Sequence, residues 1–342
     1  MDAALAACAW SWSGEPVSTP VDGGLINHTW SLAVHGVIVA YLQRLNTRIF
    51  RAEVHEDIHA ITTHLRLAGL ETPCLLPTRA GTLWHTEPSG AVWRCLTPVG
   101  DSSRTLVTDG SVAQSAAFLV GRVHAALADL SWEFRMVRPG AHDTAKHMDL
   151  LDEAVRFHPG HRNHSEVAAL AEGLVRAWGQ WRGPTELPRR IIHGDLKLSN
   201  VRFRGPDAVA LIDLDTFAWG SLDVELGDAL RSWCNPGTED AAEPEFRADF
   251  FEAVVRGYAA GAAGTTADEW DAIVPGTERI ALELASRFAR DALLESYFGY
   301  DRRFGTASDH NLLRARGQFA LAKSIRRQRR DLDQALRTWR TS

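Results

Sequence analysis

Lysine is almost missing from this chain. Of 342 residues, 37 are Lys or Arg, yet only Lys146, Lys197 and Lys323 are lysines. Cysteine is scarce as well: Cys8, Cys74, Cys95 and Cys234 lie far apart and form no C-x-x-C pair. That spacing argues against a disulfide framework or a thiolate zinc site and fits a reducing compartment. No window approaches the ~18 uninterrupted apolar residues of a membrane span. The opening MDAALAACAWSWSG carries Asp2 and no basic residue ahead of its apolar run, so it reads as a short amphipathic helix and not a signal peptide. An excess of positive charge is lacking too; the formal net charge is −6, which argues against a nucleic-acid partner. A soluble, cytoplasmic protein is expected, its oligomeric state left open.

What is present is ordinary globular composition, 45% hydrophobic and 23% charged, over a length that suggests two lobes. Up to about residue 98 the chain reads as strands and one helix. GGLINHTWSLAV and VIVAYLQRL flank the turn His35–Gly36, and Val54, Ile58, Ile61 and Leu65 recur at helical spacing. Short strands return through ETPCLLPTRAGTLWHTEPSGAVWRCLTPV. After Pro98 the periodicity is helical, with helices expected at Val112–Leu127, Ser165–Trp181, Glu245–Ala260, Thr277–Tyr297 and Asn311–Arg337. Within that half only Ile191–Asp215 reads as strand. The expected fold is α+β: a small antiparallel β lobe over 1–98 and a larger, mainly helical lobe over 99–342.

One stretch, IIHGDLKLSN, sets a basic ring, a carboxylate, an ammonium and an amide within eight residues of a buried-looking segment. Val201–Arg204, a turn at Gly205–Pro206–Asp207, and AVALIDLD form a hairpin. The return strand brings Asp213 back beside Asn200. Asn plus Asp is the hard, oxygen-only pair that Mg2+ prefers when phosphate and water complete its shell. Asp195, at the mouth of the loop, can accept or orient a hydroxyl proton, and Lys197 can offset charge on a transferring phosphoryl group. The interval from Asp195 to Asn200 equals that of the protein-kinase pattern H-R-D-x-x-x-x-N. In a chain that otherwise uses arginine, the lysine at 197 is informative.

The run His193-Gly194-Asp195-Leu196-Lys197-Leu198-Ser199-Asn200, followed by Ile212-Asp213-Leu214-Asp215-Thr216, resembles the aminoglycoside phosphotransferase and choline kinase family. It looks most like the branch containing N-acetylhexosamine 1-kinase. GGLINHTW, YLQRLNTRIF, GSLDVELGDALRSW, ELASRFARDALLESYFGY and DHNLLRARGQ extend the likeness over nearly the full chain. The resemblance implies a two-lobed protein-kinase-like fold using ATP and Mg2+. It implies Asp195 as the base or hydroxyl-orienting residue, and Asn200 and Asp213 as metal holders. Thr216, Arg287 and Tyr297 would line the acceptor pocket. Gly23, Gly24, Asn27 and Thr29 would lie over the ATP phosphates, with Gln43 at the third-strand position and the adenine against Leu96, Thr97 and Val99. The chain departs from that branch at Gly194, where the hexosamine kinase has Asn, around Phe217–Trp219, and in the acidic stretch Thr238–Glu245. No lysine precedes Lys146, so the third-strand lysine of protein kinases is missing, and Arg44 or Arg48 is the expected replacement.

Plainer roles stand beside several of these. Gly23–Gly24 is equally a hairpin turn. His193 holds loop backbone. Arg287 can snorkel along its helix or pair with Asp291 one turn on. His124 belongs to the core, and Asp228 orders the segment after Asp213. The expected activity is phosphoryl transfer to a small acceptor, foremost the anomeric hydroxyl of a hexose or N-acetylhexosamine. An aminoglycoside or amino alcohol is the alternative acceptor, with Thr238–Glu245 as an acidic wall, and a nucleotide-binding pseudokinase is the alternative class.

Overall fold

The computed structural model describes residues 3–21, 26–137, 140–237, 239–241 and 244–340. The first part is a five-stranded antiparallel sheet. Its strands are β1 (Val17–Val21), β2 (His28–Val34), β3 (Val37–Arg44), β4 (His85–Thr86) and β5 (Val92–Leu96), in the order β1-β2-β3-β5-β4. Alternation sorts its two faces. Leu32, Ala40, Leu42, Trp93 and Cys95 pack on the outer face against α1 (Ala3–Ala7) and Trp10. The inner face meets α2 (Val54–Leu67), whose Ile58, Ile61 and Leu65 share one core with Leu119, Val120 and Val123 of α3 (Gly110–Leu127). That common core joins the sheet to the helical part.

The remainder comprises β6 (Ser102–Ser103), α4 (Thr144–Phe157), α5 (His164–Gly179), β7 (Arg190–Ile192), β8 (Val201–Arg204), β9 (Asp207–Leu211) and β10 (Ala218–Gly220), then α6 (Leu222–Trp233), α7 (Ala248–Gly261), α8 (Ala267–Leu294) and α9 (Ala307–Trp339). β8 and β9 form the expected hairpin. Strand is not confined to 191–215, however: β6 pairs with β8, and β10 pairs with β7. Both are two or three residues long, too short for alternation to be seen.

Three helical expectations need correction. α4 was not anticipated; Asp143 caps it by accepting from Lys146 N at 3.0 Å. α6 was missed because every residue but Ser232 is buried, so no polar face marks its period. α8 starts ten residues before Thr277, at a Thr266–Glu269 capping box, and runs through Pro275. Pro275–Gly276 reads as punctuation, yet the glycine serves a helix crossing. A Cβ at Gly276 would lie 2.5 Å from the Asp223 carbonyl oxygen on α6.

Candidate active site

The loop after β7 is held from beneath by carboxylates of α6. Glu225 accepts from the backbone amides of His193 (2.8 Å) and Gly194 (2.9 Å), and Asp228 from that of Leu196 (3.2 Å). Asp228 thus holds the loop ahead of Asp213 and, by accepting from Arg231 Nε at 2.9 Å, also the segment after it. Burial opposes ionisation of Glu225, but the His124 bond and the loop amides hold its pKa below the ordinary range. His193 Nε2 lies 2.9 Å from the Ile212 carbonyl, tying the loop to the returning strand, the structural role expected of it. Gly194 has φ +76°, and a Cβ there would sit 3.0 Å from the Thr216 carbonyl oxygen. Any side chain would be strained twice.

At the mouth, Lys197 Nζ donates to Asp195 Oδ2 at 2.9 Å. Asn200 Nδ2 donates to the Asp195 carbonyl (2.8 Å) and to Oδ2 (3.1 Å). Burial alone would raise the Asp195 pKa; the Lys197 charge and these bonds hold it down. The Lys197 pKa is raised, its own burial outweighed by Asp195 and, further off, Asp213 and Asp228. Asp213 adopts the left-handed backbone conformation, φ +63°, which costs a non-glycine residue about 1–2 kcal/mol. Burial, then repulsion from Asp215 and Asp195, pushes its pKa up against the pull of Lys197. Among the described residues no donor bonds the Asp213 carboxylate or Asn200 Oδ1. These two free oxygen donors fit a hard divalent cation, whose charge would relieve the repulsion.

Two residues on, Asp215 is fully enclosed. Arg94 Nη1 and Nη2 meet its two oxygens at 2.5 and 2.7 Å, and Asn27 Nδ2 donates to Oδ2 at 2.8 Å. Arg94 Nε continues to Gln43 Oε1 (2.8 Å), and Gln43 Nε2 to Thr29 Oγ1 (3.1 Å). The buried cation of the sheet is therefore Arg94, which local spacing does not single out, whereas Arg44 is half-buried and Arg48 exposed. Its signal was a charge at an inward-facing position of a strand buried on both faces, Val92-Trp93-Arg94-Cys95.

The remaining expected site residues divide. Gly23 and Gly24 lie outside the described residues, as do Thr238, Ala242 and Glu243 of the acidic stretch. Asn27 spends both ends of its amide on protein, Oδ1 accepting from Asn46 N at 2.9 Å. Thr97 N donates to Cys74 O (2.9 Å), and Val99 O accepts from Arg202 Nε (3.0 Å). The Thr97 carbonyl and the Val99 amide meet no partner among the described residues, and Leu96 ends β5 beside them. Thr216 packs on Gly194 with its buried hydroxyl unpartnered. Arg287 lies over the rings of Tyr297 and Phe298, 5.8 and 5.7 Å from their centroids. It does not pair with Asp291, whose oxygens accept from Ser296, Tyr297 and Phe298 amides and Asn311. Glu239 pairs with Arg231, and Asp240 with His310 and Arg314, so neither is a spare charge.

The description of the Phosphotransferase enzyme family matches residues 18–263. A homoserine kinase from Gluconobacter oxydans (strain 621H) is 29% identical over 199 residues, 56% of this chain and 58% of the relative's length. Among solved structures, a microcompartment-associated aminopropanol kinase matches with TM-score 0.66 at 15% identity, covering 98% of each chain. An aminoglycoside phosphotransferase from Alicyclobacillus acidocaldarius matches at 0.63 and 12%, covering 97% of each. An amicoumacin kinase in complex with AMP-PNP and Ca2+ matches at 0.61 and 14%, covering 96% of this chain and 91% of that one. At such identities these likenesses establish the fold: a protein-kinase-like, antiparallel sheet lobe followed by a helical lobe. No described helix is long and apolar enough to cross a membrane.

Proposed function

The chain belongs to the Phosphotransferase enzyme family, and from that premise we propose that it is a kinase moving the γ-phosphoryl of ATP to a hydroxyl of a small molecule. The observation that carries this reading is the pairing, within one loop and hairpin, of an ion-paired Asp195 with two oxygen donors left unsatisfied at Asn200 and Asp213. Asp195 is ionised by its partners and orients the acceptor hydroxyl; Lys197 offsets charge on the phosphoryl oxygens. Asn200 and Asp213 would hold Mg2+, which when bound neutralises charge between the β- and γ-phosphates. The open Thr97 carbonyl and Val99 amide offer adenine an acceptor for its amino group and a donor for its ring nitrogen. Gly23 and Gly24 are assigned to the phosphates from the sequence alone.

The preferred acceptor is a hexose or N-acetylhexosamine, phosphorylated at its anomeric hydroxyl. Thr216 beside Gly194, and Arg287 with Tyr297, are the pocket residues in this reading. Glu239 and Asp240 are already engaged with arginine and histidine, which leaves fewer acids of that stretch to face a polycation. Arg287 meets no carboxylate among the described residues. A second reading, an amino alcohol acceptor, draws on the partial likeness to a homoserine kinase. ADP release coupled to Mg·ATP should be measured against hexoses, N-acetylhexosamines, homoserine, aminopropanol and aminoglycosides. Turnover with one sugar, with the phosphate placed on its anomeric carbon by NMR, is expected. Turnover with homoserine or aminopropanol alone would replace the sugar by the second reading. Nucleotide binding with no turnover on any acceptor would favour a pseudokinase.

A further inference from the structure

Phosphoryl transfer in this fold calls for a cation in the small lobe, and the sheet carries no lysine. Its inner face instead holds a row of cross-strand neighbours. Thr29 of β2 faces Gln43 of β3, and Gln43 faces Arg94 of β5. Side-chain bonds run along that row and end in the bidentate grip of Arg94 on Asp215. Both partners are nearly sealed from solvent, 1% exposed for Arg94 and 3% for Asp215. A phosphate cannot reach this guanidinium, and a metal ion cannot reach a carboxylate whose oxygens are spent on Arg94 and Asn27.

Asp215 lies in the one-turn 3-10 helix Leu214–Thr216, directly after Asp213. The carboxylate of Asp213 has no bond of its own among the described residues, and its backbone is in a conformation that persists only where the surroundings over-determine it. What holds that turn to the sheet is the anchored side chain two residues on. Asn27 adds a second strut, since its Oδ1 accepts from Asn46 N while Nδ2 binds Asp215. Besides Asp213 itself, His55 of α2 faces the pair, and burial, then Arg94, keeps it neutral.

We propose that the Arg94–Asp215 pair is a latch from the sheet to the metal loop, making Arg94 a residue that positions Asp213 for Mg2+ without touching nucleotide. The inference rests on the kinase reading above.

The test is binding of a fluorescent ATP analogue to the full-length protein with and without Mg2+. It compares wild type, Arg94→Lys, and the double variant Arg94→Gln/Asp215→Asn, which leaves no lone buried charge. In the double variant the half-saturating Mg2+ should rise roughly 10–100-fold while metal-free binding stays within about twofold, as for outer-shell partners of metal ligands. Amide hydrogen exchange over residues 212–217 of the metal-free protein should quicken. Arg94→Lys, which keeps the charge but loses the fork, should fall between, and it carries the test if the double variant does not fold. Unchanged Mg2+ dependence and exchange would reduce the pair to packing and overturn the latch. An equal loss with and without Mg2+ would mean Arg94 acts on the phosphates directly, overturning it too. Wild type lacking Mg2+-dependent nucleotide binding would bring down the kinase reading itself, and the latch with it.

Discussion

Two neighbouring regions share the segment Asp213–Asp215 and treat charge in opposite ways. Both carboxylate oxygens of Asp215 are spent, on two arginine bonds and an asparagine amide, and the arginine continues into a hydrogen-bonded row across three strands. Around Asp213 and Asn200 oxygen donors stand without partners among the described residues, and burial with like charge pushes the Asp213 pKa up. The first arrangement is what a fold needs, because a buried charge left unpaired costs several kcal/mol. The second is tolerated because Asp213 is only half-buried and still meets solvent, and it leaves room for a bound cation to complete it. Within three residues of chain, one carboxylate is closed by protein donors and the other is left open.

Breaking the open region should have the largest effect. Asp195→Ala should lower turnover on the order of 10²- to 10⁴-fold while Mg·nucleotide affinity, read by titration, barely moves; undiminished turnover would remove Asp195 from the chemistry. Asp213→Asn comes next. Half-saturating Mg2+ should rise by more than the roughly 100-fold ceiling of outer-shell changes. The melting temperature of the metal-free protein should rise as well, since a costly carboxylate is gone. A lower melting temperature would mean Asp213 is structural after all.

The closed region predicts a pH effect with a definite sign. His55, stacked on Trp84 beside the Arg94–Asp215 pair, has its pKa lowered to about 4 by burial, then by Arg94. Its contribution is complete above the ordinary histidine pKa of about 6.5 and fades as pH falls, because the unfolded chain takes up a proton that the folded one refuses. Wild type should lose roughly 3 kcal/mol through that window from this group alone. Denaturant melts of His55→Phe should show a shallower decline between those limits; identical slopes would refute the neutral, buried imidazole. The smallest change expected is at the pocket edge. Arg287→Ala should raise the acceptor KM roughly tenfold, as for loss of a bond to a charged group, with turnover and melting temperature nearly constant. Loss of thermal stability without a KM change would assign Arg287 to packing on Tyr297 and Phe298.

Much of this was legible before any coordinates. The loop residues Asp195, Lys197 and Asn200 and the hairpin returning to Asp213 follow from short-range spacing, since a turn between two four- to five-residue strands leaves little choice of register. Helices with one wet face, α2, α3, α5 and α9, were readable for the same reason: their period shows as alternation between water and core. α6 was not readable, because it is buried on all sides and its acids face inward to the catalytic loop. Pro275–Gly276 misled because a packing requirement against Asp223 outweighed the local cost of proline and glycine in a helix.

The sequence by itself determined the loop and hairpin that bring Asp195, Asn200 and Asp213 together, the two-lobed plan and the absence of a third-strand lysine. Only the tertiary structure decided that the sheet's buried cation, Arg94, is spent on Asp215, and which of the two aspartates is left without a bond among the described residues. Arg94 and Asp215 are separated by 121 positions, and whether a carboxylate is bonded or bare depends on what the fold brings to it from that distance.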